Sequence, residues 1–137
     1  TVSPFQEMQL KDPAIHTVLD SRDLIGDSTA SYAWTSKKFH DANPKVYRAL
    51  IEAWKEASDF IMANKKETVA YYLEDTRAKV DPAVIQAVLD NPSTRYSPVP
   101  VKSMVWAEFL HRVGRNKVLP KTWKDMFFPE IYDLPGN

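Results

Sequence analysis

The sequence predicts an α/β protein in which a short strand-rich segment precedes about a hundred residues of helix. Two observations lead to this prediction. Residues 15–19 and 30–35 are rich in β-branched and aromatic side chains, as strands are. From Phe39 onward, apolar residues recur at helical spacing without a strand pattern. Two strands are too few for a stable sheet, so we expect strands from outside this sequence to complete it.

The composition is that of one ordinary globular domain of 137 residues, with 44% hydrophobic and 26% charged residues. Eighteen basic and eighteen acidic side chains cancel, so no overall positive charge recruits nucleic acid or an anionic membrane. Cysteine is absent, which excludes disulfides, thiolate catalysis and cysteine zinc sites. No apolar run is long enough for a membrane span, and the opening residues lack a signal-peptide pattern.

The strand-rich part begins with one or two turns of helix, which the Lys11-Asp12-Pro13 sequence ends. Gly26-Asp27 provides a turn between the two predicted strands. In the second strand Tyr32 and Trp34 lie on the same side, because side chains alternate along a strand.

A helix over residues 44–63 is the strongest element, with the side-chain oxygen of Asn43 as N-cap and Pro44 in the first turn. Its apolar stripe includes Leu50 and Trp54, and a side chain as large as Trp54 needs a partner surface. We therefore expect Trp54 to be buried. Further helices begin at Asn64, with a capping box to Glu67, at Asp81-Pro82 and at 102, where the helix is expected to run to 113.

Patterns of catalysis and metal binding are missing. Three ungrouped glycines exclude a phosphate-binding loop, and no serine lies in a hydrolase nucleophile motif. His16, His40 and His111 are isolated in the sequence, without the spacing of metal ligands. We expect neither catalytic residues nor a cofactor nor a metal site.

Seven short motifs occur in order: SPFQ at 3–6, VLDS at 18–21, YAWTSKKF at 32–39, DANP at 41–44, ANKKE at 63–67, DPAV at 81–84 and WKDMFFP at 123–129. Together they resemble the C-terminal part of periplasmic solute-binding proteins of the nitrate, sulfonate and taurine ABC-transporter type. This superfamily also includes binders of thiamine precursors. The family pattern has a tryptophan where Val2 stands and a proline where Lys65 stands.

The resemblance implies a type II periplasmic-binding-protein fold, in which two α/β lobes close on a ligand like a hinge. This chain would be a mostly helical C-terminal fragment with a few strands. Residues 1–35 would form the remainder of the second lobe and a crossover strand, and residues 36–137 would form helices that pack on the first lobe. A missing N-terminal half is then expected to supply that first lobe.

The same resemblance implies a non-enzymatic component of an ABC importer that binds a small anionic solute, such as nitrate or a sulfonate, and delivers it to a membrane permease. The protein would be periplasmic, or lipid-anchored outside the cytoplasm. Ligands in this architecture bind between the lobes. Two groups of residues would reach that cleft: Ser3, Phe5 and Gln6 near the start, and Ser28, Thr29, Ser31 and Tyr32 before the crossover.

Two other functions stay open. A thiamine-pyrimidine-related protein, either a binder or a synthase, uses the same scaffold, although the synthase needs a cysteine-rich site. A stand-alone helical interaction domain is favoured if the helices leave no apolar face exposed. For the fragment, the expected partner is the missing N-terminal half or a second copy, through the side that carries Leu50, Trp54 and Leu110.

Overall fold

A computed structural model describes residues 2–137, which form a helical chain with no β-strand among them. The α-helices are α1 (Phe5–Gln9), α2 (Ser21–Ile25), α3 (Lys37–Ala42), α4 (Pro44–Ala63), α5 (Lys65–Thr76), α6 (Pro82–Asp90) and α7 (Ser103–Arg112). Two 3-10 helices follow in the tail, Trp123–Met126 and Pro129–Ile131. No helix in this part of the chain combines the length and the apolar character that a membrane crossing requires.

The predicted α/β fold class is therefore wrong for this chain, and so is the type II binding-protein fold with a few strands. Residues 15–19 and 30–35 are irregular segments instead of strands. The physical reason is that β-propensity takes effect only when a neighbouring strand accepts and donates backbone hydrogen bonds. In residues 2–137 these two segments do not pair with each other.

The core lies between α5 and α6. Val69 of α5 packs with Ile85 and Leu89 of α6, and Ile61, Tyr72, Leu73 and Val80 pack around them. Helix α6 begins where the Asp81 side chain accepts a hydrogen bond of 2.9 Å from the Ala83 amide, which confirms the predicted start. The core is small, because no side chain among residues 2–137 is completely removed from solvent.

Helix α4 confirms the predicted bounds, but the expected burial of Trp54 is wrong. Trp54 is 37% exposed and Leu50 is 50% exposed, whereas the one buried residue in the helix is Ser58. The apolar stripe is covered only in part: Ile61 near the end of α4 packs against the α5 and α6 core, whereas Leu50 lies half-exposed.

The predicted caps at Asn43 and Asn64 are also wrong. Each side chain donates its amide hydrogen back to the preceding helix, Asn43 Nδ2 to Phe39 O at 2.9 Å and Asn64 Nδ2 to Phe60 O at 3.1 Å. Neither side chain accepts a capping bond from the helix that follows. The two asparagines therefore stabilise helix ends, because they satisfy carbonyls that the last turn leaves unpaired.

The chain exposes far more surface than a compact protein of its mass. Its accessible area is 10581 Å², whereas a folded monomer of 15.7 kDa exposes about 7,300 Å². Much of the surplus is apolar: Val18 is 88% and Trp34 is 91% exposed. Exposed apolar side chains of this size are uncommon on soluble monomers, and these two lie in the irregular segments that precede α2 and α3.

Candidate ligand-binding region

The first group of predicted ligand-binding residues surrounds the start of α1. Ser3 Oγ donates a hydrogen bond of 2.6 Å to Glu7 Oε1, so this hydroxyl already has a partner within the chain. Phe5 is 59% exposed and offers an apolar ring. Gln6 is half-buried and offers its side-chain amide. Phe5 and Gln6 are thus the members of this group that can contact a ligand.

Glu7 adds a carboxylate that the sequence interpretation did not include. Its second oxygen, Oε2, is buried and has no hydrogen-bond partner in the described part of the chain. An unpaired buried carboxylate oxygen is unfavourable. The negative charge of the Glu7 carboxylate also repels an anion that has no hydrogen-bond donor. The surroundings of α1 therefore suit an ammonium or amide group better than a nitrate or sulfonate group.

The second group lies against the start of α7. The Thr29 amide donates to Val101 O at 3.0 Å, and the Val101 amide donates to Thr29 Oγ1 at 2.8 Å. Tyr32 and Ser103 share a hydrogen bond of 3.2 Å between their hydroxyls. Thr29 and Tyr32 therefore hold this segment in place. Ser28, which is half-buried, and Ser31, which is exposed, are the hydroxyls that remain for a ligand.

Lys102 is a residue of this region that sequence reasoning missed. It follows Val101, has a left-handed backbone with φ of 54°, and donates from Nζ to the Ile25 carbonyl. The adjacent Gly26 leaves room for this ammonium, since a Cβ at Gly26 would lie 2.6 Å from Nζ. Lys102 and Ile25 are 77 residues apart in the sequence, so no local sequence pattern predicts this contact. The Lys102 ammonium therefore lies at the end of α2, beside Ile25 and Gly26, and it brings a positive charge to this region.

The two predicted groups are not connected by any hydrogen bond within residues 2–137. Neither of two shallow grooves beside α7 includes any of their seven side chains. One groove, of about 420 Å³, lies against Lys102, Trp123 and Asn137. The other, of about 430 Å³, lies between α2 and α7. Neither groove therefore belongs to the predicted ligand-binding groups.

A charged cluster forms around His40, away from those groups. Its Nδ1 lies 3.0 Å from Asp41 Oδ1 and its Nε2 lies 3.0 Å from Glu130 Oε1. The ring stacks on Phe128 at a centroid distance of 4.0 Å, and Tyr47 meets it edge-on at 4.7 Å. Hydrogen bonds first to Asp41 and then to Glu130 raise the pKa of His40. The imidazolium form therefore links α3 to the tail.

This cluster has the composition of a catalytic or metal site but not the geometry. The two carboxylates engage opposite ring nitrogens, so no lone pair is left for a general base. They also fail to converge on one point, and residues 2–137 contain no set of three or more histidine and acidic side chains arranged to hold a metal ion. The cluster is a structural link.

Comparison with known proteins gives no relative, since the chain matches no protein-family model, no curated protein and no solved structure.

Proposed function

We propose that this chain is part of a solute-binding protein that serves an ABC importer outside the cytoplasm and does not act as an enzyme. The proposal rests on the positions of the sequence motifs relative to the helices. SPFQ leads into α1, VLDS into α2, YAWTSKKF into α3, DANP into α4, ANKKE into α5 and DPAV into α6. The motifs that resemble the nitrate, sulfonate and taurine binders thus coincide with successive helix starts, in the same order along the chain.

The uncovered surface supports the same proposal. A stand-alone helical interaction domain should enclose its own apolar stripes, whereas Val46, Leu50 and Trp54 are exposed along α4. A helical part of a larger binding protein is expected to expose such a stripe until the rest of the protein covers it. The thiamine-pyrimidine synthase alternative gains no support, since the sequence supplies no cysteine for its site.

The contact residues favour a solute with two chemical groups. Lys102, with the Ser28 and Ser31 hydroxyls, suits an anionic group. The buried Glu7 oxygen suits a hydrogen-bond donor. A solute that carries both an anionic group and a hydrogen-bond donor, such as the amino-sulfonate taurine, therefore fits the proposal better than nitrate, which has no donor.

A thermal-shift screen of the native polypeptide that carries this sequence tests the proposal. The panel is nitrate, ethanesulfonate, taurine, a pyrimidine and an aromatic carboxylate. We expect taurine to give the largest rise in melting temperature, because ligand at about 100 times its Kd adds about 2.7 kcal/mol of stability. Gln6→Ala should reduce the shift, and Arg95→Ala, at an exposed loop position, should leave it unchanged. A panel in which no anionic solute shifts the melting temperature would contradict the proposal.

A further inference from the structure

We propose that residues 123–132 form a strap that protonated His40 holds against α3 and α4, and that the strap opens when this histidine loses its charge. A second attachment lies beyond the strap, where the Asn137 carbonyl oxygen accepts from the Ser103 amide at 2.8 Å. Because that attachment does not involve His40, the strap swings open and stays tethered. This switch would operate whatever solute the protein binds, so it goes beyond the proposed function.

The strap is held together by its own contacts. The Tyr132 hydroxyl donates to the carbonyl oxygens of Lys124 and Phe127, at 2.8 and 3.0 Å. The Trp123 ring meets the Tyr132 ring edge-on, at a centroid distance of 6.1 Å. These hydrogen bonds join residues at most eight positions apart, so the turns of the strap can persist while it moves as one piece.

The polar attachment of the strap to the helices passes through one titratable ring. Two hydrogen-bond contacts join the strap to residues 2–120, and both lie between Glu130 and His40. His40 Nε2 is 3.0 Å from Glu130 Oε1 and 3.2 Å from Glu130 Oε2. The charge on His40 therefore controls the hydrogen-bonded contact that holds the strap to α3.

Aromatic packing completes the closed position of the strap. The Phe128 ring stacks on the His40 ring at a centroid distance of 4.0 Å and meets Tyr47 edge-on at 5.3 Å. Phe127 lies 5.9 Å from Tyr32. Since a cation over the face of an aromatic ring is attracted to it, the stacking contact also weakens when His40 becomes neutral. Opening would expose Tyr47 and Phe128 beside α4.

Glu130 is the group that drives opening. His40 Nδ1 lies 3.0 Å from Asp41 Oδ1, so both ring nitrogens must carry a proton to donate to both carboxylates. The neutral ring has one N–H for two carboxylates. Glu130 is 21% exposed, and a partly buried carboxylate without a charged donor is unfavourable. Asp41 keeps its pairing with Lys37 at 2.7 Å, whereas Glu130 regains hydration by moving into water.

The groups around His40 place the transition in the neutral to alkaline range. Asp41, paired with Lys37, faces it from α3, Tyr47 from α4 and Glu130 from the strap. Hydrogen bonds first to Asp41 and then to Glu130 raise the pKa of His40. Burial, and then the charge of Glu130, raise the pKa of Tyr47, so its hydroxyl stays neutral in this range. The strap should therefore be closed below the raised pKa of His40 and open above it.

The distance between two spin labels, one on α4 and one on the strap, tests the switch. The sequence has no cysteine, so labels attach at Lys45→Cys and Met126→Cys, two exposed positions. We expect one short distance at about pH 6 and a shift to a longer, broader distribution at about pH 9. The reason is that the label at 126 moves with the strap while the label at 45 stays on α4.

Two variants and a second label pair serve as controls. His40→Gln should abolish the pH response, because a glutamine side chain has no charge to lose. His111→Gln should retain it, because the hydrogen bond of His111 Nδ1 is to the Asn116 carbonyl oxygen and not to a carboxylate. Labels at Glu74→Cys on α5 and Ala87→Cys on α6, also exposed positions, should give the same distance at both pH values.

Three results would overturn the proposed switch. The first is an equal distance between the labels at 45 and 126 at both pH values. The second is a pH response that persists in His40→Gln, because another group would then control the strap. The third is a change in the α5 and α6 pair as well, because unfolding of the whole chain would then account for the movement.

Discussion

At the residue scale, His40 explains how the tail of the chain is held. Its ring lies between the carboxylates of Asp41 and Glu130 and against the flat face of Phe128. Lys37 in turn pairs with Asp41 at 2.7 Å. Hydrogen bonds first to Lys37 and then to His40 lower the pKa of Asp41. Positive and negative groups thus alternate from Lys37 to Glu130, and the imidazolium occupies the centre.

This arrangement predicts a loss of stability at alkaline pH. Because folding raises the pKa of His40, the stabilisation is complete below the ordinary histidine value and is lost as the pH rises through the raised pKa. Asp41 behaves in the opposite way, and its contribution is lost as the pH falls through its lowered pKa. Urea unfolding between about pH 5.5 and pH 9 should therefore show stability falling toward the alkaline end.

The variant His40→Gln should remove most of that alkaline decline. His111→Gln is the matched control, because His111 Nδ1 lies 2.9 Å from the Asn116 carbonyl oxygen, with no carboxylate in that hydrogen bond. The decline should persist in this control. An identical pH profile for His40→Gln and the unmodified protein would show that the link is not charged.

At the element scale, the exposure of Trp54 on α4 predicts that Trp54→Ala destabilises this chain alone less than it destabilises the native polypeptide that carries this sequence. In this chain alone, Trp54→Ala should cost less than the value of about 3–5 kcal/mol for a fully buried tryptophan, because the indole is 37% exposed. In the native polypeptide that carries this sequence, the same change should cost about 3–5 kcal/mol if the stripe is covered. Urea unfolding measures both values.

Ile85→Ala is the control for that comparison. Ile85 is buried between α5 and α6, so its truncation should cost about 2–5 kcal/mol in both contexts. Equal small costs for Trp54→Ala in both contexts would mean that α4 faces solvent in the native protein as well.

The helices could be predicted from the sequence because their signals are local. Pro44 and Pro82 fix the starts of α4 and α6, and apolar spacing fixes their extent. The predicted strands failed because a strand depends on a partner strand that is not local in sequence, and the described chain contains none. The caps at Asn43 and Asn64 failed because an asparagine amide can donate as well as accept.

The candidate site could be predicted only in part, for a similar reason. Ser3, Phe5 and Gln6 came from a motif, whereas Ser28, Thr29, Ser31 and Tyr32 were chosen as hydroxyls grouped before the expected crossover. Their role in binding stays a prediction. Lys102 and the Val101 contact with Thr29 were missed, because about seventy residues separate them from that region. Glu7 was missed because its significance lies in one buried oxygen without a partner among residues 2–137, which no sequence pattern indicates.

At the scale of the whole molecule, the central claim is that these helices form one part of a larger folded unit. The area of 10581 Å² and the exposed stripe of α4 both follow from it. Burial of apolar surface contributes about 25 cal/mol per Å², so covering exposed apolar side chains such as Val46 and Leu50 favours association.

Sedimentation of the 137-residue chain at micromolar concentration, with a hydrophobic dye present, tests this claim most directly. We expect a mass above the 15.7 kDa of one chain, together with dye binding, because apolar side chains such as Leu50, Trp54 and Leu110 are exposed. Leu50→Glu should reduce both the mass and the dye signal. A single species of 15.7 kDa that binds no dye would contradict the account, since the chain would then enclose a complete core of its own.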